Sequence, residues 1–89
     1  MFYYLKVQTD SDYKFIREDR WLTPVRAPNL EDAKVFSTPE LALEYARKFN
    51  LVSTSHTIEV CDFSDKKFYL CTLKRNEKGK FTLDAQKVK

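Results

Sequence analysis

Only one stretch of this 89-residue chain repeats its apolar side chains at helical spacing, and the apolar runs on either side of it alternate at strand spacing. Leu41, Ala42, Tyr45, Ala46 and Phe49 recur along one side of a 3.6-residue spiral, and Glu40, Glu44, Arg47 and Lys48 take the other. The segment opens on Ser37-Thr38-Pro39-Glu40. Ser37 with Glu40 three residues on makes a capping box, and Thr38 ahead of Pro39 caps in the neighbouring frame with proline in the first turn. Asn50 suits the left-handed residue that ends a helix. The stripe predicts that Leu41, Tyr45 and Phe49 turn onto the core. One helix of about twelve residues cannot enclose a core alone, so a sheet must supply the other layer.

The flanking runs supply it. Phe2 to Val7 is aromatic and β-branched, with Tyr3, Leu5 and Val7 on one face and Phe2, Tyr4 and Lys6 on the other. Thr9-Asp10-Ser11-Asp12 forms a turn into Tyr13-Lys14-Phe15-Ile16, completing a hairpin. From Arg17 to Asn29 the chain is charged and interrupted by Pro24 and Pro28, which reads as one long irregular loop holding Trp21. Ala33 to Phe36 reads as a short strand. Beyond the helix, the runs Thr57–Phe63 and Lys67–Leu73 flank Ser64-Asp65-Lys66, and Asn76-Glu77-Lys78-Gly79 turns the chain into the alternating Phe81, Leu83 and Ala85. With that register Cys61 faces Tyr69, and Cys71 lies diagonally on the same sheet face. The expected fold is α+β: a single domain over residues 1–89 with an antiparallel sheet of about five to six strands, in the order β-β-β-α-β-β-β. The amphipathic helix packs on one face.

Composition excludes several chemistries. The lone Gly79 removes glycine-rich dinucleotide and phosphate loops, which need several glycines for close backbone approach. One histidine, His56, and two cysteines ten residues apart do not reproduce the paired ligand spacing of structural zinc, so no metal or cofactor is expected. His56 beside Ser55 and Thr57 reads as a surface histidine, because side chains of adjacent residues diverge. Asp10, Asp12, Glu18 and Asp19 match no calcium-loop spacing and read as a solvated turn. Low cysteine content, an N-terminus without a basic-then-apolar leader and the lack of a spanning apolar run give the expectation of a reduced, cytoplasmic protein with no membrane partner.

Charge is unevenly placed. Residues 1–65 carry eight basic and eleven acidic side chains, net −3, whereas residues 66–89 carry eight basic and two acidic, net +6. Lys66, Lys67, Lys74, Arg75, Lys78 and Lys80, interleaved with Phe68, Tyr69 and Phe81, have the composition with which single-strand binders neutralise phosphate and stack bases. The run Lys67 to Leu73 superficially resembles an RNA-recognition strand but lacks its glycine, and that fold needs two helices where this chain has one.

The segment from Ala33 to Ala46, with its short strand, cap and helix, is similar to strand-cap-helix units in short phage and mobile-element proteins. That resemblance covers about fourteen residues and is accounted for by capping and helix packing; it is the small size, the aromatic content, Trp21 in the long loop and the scarcity of catalytic groups that give the expectation of a non-catalytic module binding another protein as monomer or homodimer. Its finer form is an anti-CRISPR-like inhibitor occluding a host protein such as a defence nuclease. The expected partner-binding residues are Trp21, as an aromatic anchor, and Lys66, Lys67, Tyr69, Lys74, Arg75, Lys78 and Lys80. The alternative is a single-stranded nucleic-acid binder using the basic C-terminal hairpin.

Overall fold

The structure, a computed structural model, describes residues 1–88. Six strands form one antiparallel sheet: β1 (Tyr3–Gln8), β2 (Tyr13–Glu18), β3 (Pro24–Ala27), β4 (Thr57–Asp62), β5 (Lys67–Arg75) and β6 (Phe81–Lys87), in the spatial order β3-β2-β1-β4-β5-β6. A 3-10 turn (Leu30–Asp32) and the helix α1 (Pro39–Lys48) lie between β3 and β4. Every strand pairs with its chain neighbour except across the helix, where β1 joins β4. The two hairpin systems thereby become one sheet around a central pair. As expected, the architecture is α+β in the order β-β-β-α-β-β-β.

The alternation along β1 sets the two faces. Leu5 and Val7 join Ile16, Ile58, Val60 and Cys71 beneath Ala42, Leu43 and Ala46 of α1, while Tyr4 packs on the opposite face with Phe15, Cys61, Ala33 and Leu30. The larger core is therefore under the helix, and a smaller one lies under the chain that follows β3.

Four expectations change. The third strand is Pro24–Ala27, inside the stretch read as a loop; it pairs with β2 through Phe15–Ala27 and Glu18–Pro24. Proline is tolerated because it opens an edge strand. Residues 33–36 form no strand of their own. They fill the gap where β1 and β2 diverge, as the amide of Lys34 donates to the carbonyl of Ile16 at 2.8 Å and Tyr3 and Phe36 exchange two bonds at 2.9 and 2.8 Å.

The third change is in the helix, although its start fits one of the two expected frames: Thr38 is the cap, its hydroxyl accepting from the Leu41 amide at 3.1 Å. The helix is also rotated from the expected stripe. Ala42, Leu43 and Ala46 are buried, Tyr45 and Phe49 are half-buried, and Leu41 is 46% exposed. Two alanines let the helix axis approach the sheet closely, and the rings line its flank instead of lying beneath it. Asn50 ends the helix at φ 48°, the left-handed conformation expected of it.

The cysteines are the fourth. Val60 pairs with Tyr69 but Cys61 with Lys67, so Phe68 is an extra residue in β5 that shifts the register. Cys61 consequently belongs to the far-face cluster and Cys71 to the helix-face core.

Glu18 ties β2 to the helix layer. Its carboxylate accepts from the ammonium of Lys34 at 2.7 Å and from the Tyr45 hydroxyl at 3.2 Å. The Lys34 bond holds the Glu18 carboxyl below its ordinary value, against an opposing effect of burial. A depressed folded-state value means the stabilisation is present above the unfolded carboxyl value, near 4.3, and is lost as pH falls through the folded one. The difference in urea midpoint between the native chain and Glu18→Gln should therefore shrink as pH is lowered from neutral towards 3. A difference constant over that range would show that Glu18 titrates alike folded and unfolded.

Candidate functional site

Three of the hairpin turns are the same five-residue device. Asp19, Asp62 and Asn76 each open a turn whose side-chain Oδ1 accepts from the second and fourth following amides: Trp21 and Thr23 at 2.8 and 3.0 Å, Ser64 and Lys66 at 2.8 and 3.0 Å, Lys78 and Lys80 at 3.0 and 2.9 Å. In each, the amide of the opening residue donates to the carbonyl four residues on, and the fourth residue's amide donates back to the opening carbonyl. That ladder forces the fourth residue to positive φ, as in a type I turn with a G1 bulge.

The occupants of that fourth position differ in a way that bears on function. Gly79 adopts φ 80° without a Cβ to clash. Asp65 adopts φ 66°, tolerated by its short polar side chain, and its carboxylate accepts the Tyr4 hydroxyl at 2.9 Å. Leu22 adopts φ 60° while 69% exposed, beside Trp21 at 73% exposure. Neither strain relief nor internal packing accounts for leucine there. The guanidinium of Arg20 lies 4.9 Å from the Trp21 ring centre and covers part of it.

This turn begins one residue after Glu18, whose carboxylate holds Tyr45. Tyr45 and Phe36 form the floor of a groove of about 540 Å³ on the outer side of α1. Phe2, Val35 and Leu41, all exposed, line it, and Glu44 and Lys48 border it. The helix rotation that exposes Leu41 creates this apolar surface.

The other expected partner-binding residues lie elsewhere. Lys66 and Lys67 are at the β4–β5 end of the final hairpin; Lys74, Arg75, Lys78 and Lys80 are at its other end. Lys74 lies seven steps along extended chain from Lys67, roughly 23 Å. Lys67 is already paired with the buried Glu59 at 2.7 Å, Lys66 lies over Phe68 at 5.3 Å, and the Tyr69 hydroxyl donates to Glu40 at 3.1 Å. The basic residues therefore form two groups rather than one phosphate track, and Trp21 is near the opposite edge of the sheet.

No family model, curated protein or solved structure matches the chain.

The remaining reactive groups have internal work. His56 pairs not with its sequence neighbours but with Ser53, three residues back: its Nε2 donates to the Leu51 carbonyl at 2.7 Å, leaving Nδ1 to accept from the Ser53 hydroxyl at 2.7 Å and from Arg26 at 3.1 Å. Bonded through both ring nitrogens, it pins the loop after the helix. Burial pushes the thiols of Cys61 and Cys71 up to about 11, which keeps both protonated near neutral pH. Asp12 accepts the Thr9 hydroxyl at 2.7 Å in an exposed turn, and among the described residues no three metal-ligating side chains come together. No helix among them is long and apolar enough to cross a membrane.

Proposed function

We propose that this chain is a non-catalytic protein-binding module whose partner protein seats on Trp21, Leu22 and the adjoining groove. The observation that carries this reading is Leu22, an apolar side chain displayed to solvent from a left-handed backbone position that the same turn elsewhere gives to glycine or to a short polar aspartate. Strain of this kind persists where something other than folding selects it. A tryptophan and a leucine on a rigid turn lose little entropy when they are covered, which is the profile of an interface anchor.

The finer form is an inhibitor of phage or mobile-element type that acts by occluding a host protein such as a defence nuclease. Occlusion asks only for a stiff scaffold and an exposed aromatic and aliphatic surface, and that supports it.

Leu22→Gly separates fold from function. Left-handed strain for an L-residue is about 1–2 kcal/mol, and glycine's extra unfolded-state freedom offsets about 0.5–1 of it, so the variant should gain about 0.5–1 kcal/mol in urea unfolding. Recovery of the partner from cells of the native source should fall about tenfold with Leu22→Gly and with Trp21→Ala, and should survive nuclease treatment. Undiminished recovery with both variants would refute the reading, and a partner lost on nuclease treatment would favour the nucleic-acid alternative.

A further inference from the structure

We infer that the free edge of β6 is a second docking site, one that takes an extended acidic segment of another protein as a seventh strand. Among the described residues β6 pairs on one side only, with β5. The bonds at the two ends of that ladder, Asn76 amide to Lys80 carbonyl at 2.8 Å and Val88 amide to Phe68 carbonyl at 2.9 Å, fix which residues point where. Bonded pairs alternate along an antiparallel ladder, so Thr82, Asp84 and Gln86 turn their amides and carbonyls inward to β5. Phe81, Leu83, Ala85 and Lys87 turn theirs outward, offering four donors and four acceptors at strand spacing.

The two edges of the sheet are not equivalent. β3 has four residues, opens on Pro24 and is followed by Pro28, which blunts it. β6 has seven residues, no proline and no bulge. On its helix-facing side, Phe81 and Leu83 form with Arg47 and Asn50 a trough of about 310 Å³, into which alternate side chains of an added strand would fall.

Charge selects the occupant. Lys80 and Lys87 stand at the two ends of the edge, with Arg47 and Arg75 on its helix-facing side, inside the segment of net +6 or beside it. Edge-to-edge pairing with a second copy would bring two such segments together, which like-charge repulsion opposes. An oligonucleotide would meet the lysines but has no strand register with which to satisfy the outward amides. An acidic extended peptide satisfies both.

The test uses a blocked nine-residue peptide of alternating glutamate and valine, its lysine–valine counterpart and an oligothymidylate, each added to the full chain at low salt. With the glutamate peptide, amide exchange at Phe81, Leu83, Ala85 and Lys87 should slow by about tenfold, while Thr82, Asp84 and Gln86, already bonded, change little. Leu83→Pro removes one outward donor without touching the β5 ladder and should abolish this protection. Lys80→Glu combined with Lys87→Glu keeps the backbone edge and should weaken the glutamate peptide at least about tenfold. Equal binding of both peptides, slowed exchange elsewhere, or preference for the oligothymidylate would overturn the inference, as would a doubling of mass on concentration that competes with the peptide. These residues are distinct from Trp21 and Leu22, so either proposal fails without the other.

Discussion

Ile58→Ala is expected to lower stability by about 2–5 kcal/mol, the range for removing a fully enclosed branched side chain. Ile58 has no exposed surface and sits in the middle strand pair, opposite Val7 of β1 and Cys71 of β5. Its flanking residues are held by ladders on both sides, so the sheet cannot close over the vacated volume, and the cost should fall in the upper part of that range. A domain of this size has about 4–13 kcal/mol in total, so the variant would lose a large share of it. Urea unfolding measures this directly, and an unchanged slope with a lowered midpoint would confirm that the native state alone is affected. A loss under about 1 kcal/mol would place the centre of the core elsewhere.

Tyr4→Ala should cost about 3–5 kcal/mol, although Tyr4 lies on the face away from the helix. The residue is 1% exposed, and its ring meets the edges of Phe15 and Phe63 at 5.5 and 5.1 Å between centres. The companion variant Tyr4→Phe should cost only about 1 kcal/mol, because Asp65 is exposed and water can replace the lost hydroxyl. The contrast between the two is the measurement. If alanine and phenylalanine destabilise equally, the hydroxyl and not the ring cluster holds this face together. Burial, with the Asp65 carboxylate beside it, raises the Tyr4 phenol well above its ordinary value, so neither variant's effect should depend on pH near neutrality.

The two faces explain why some of the candidate surface was legible and some was not. Trp21 stood out in the sequence as an aromatic in a charged stretch, and it is exposed. Leu22 did not stand out, since nothing in a leucine announces a left-handed backbone. The signal is the repeated pattern of Asp19, Asp62 and Asn76, each opening a five-residue turn. With glycine present, as at Gly79, such a turn is easily read; leucine in the same place reads as part of a loop and hides the strand beyond it. The lysines were legible as a composition, but their division between the two ends of a hairpin follows from strand length.

Local chemistry determined what could be read without coordinates: the Thr38-Pro39 start and Asn50 end of the helix, the alternation in β1, β4 and β6, and the class of fold that one helix among such strands must take. These depend on backbone preference and side-chain period within a few residues. Tertiary structure alone decided the pairing of β3 with β2, the extra residue Phe68 that sends Cys61 and Cys71 to opposite faces, and the rotation of the helix that buries Ala42 and exposes Leu41. Each of these depends on which surface lies opposite and how closely it can approach, and that distance is set by residues far away in the chain.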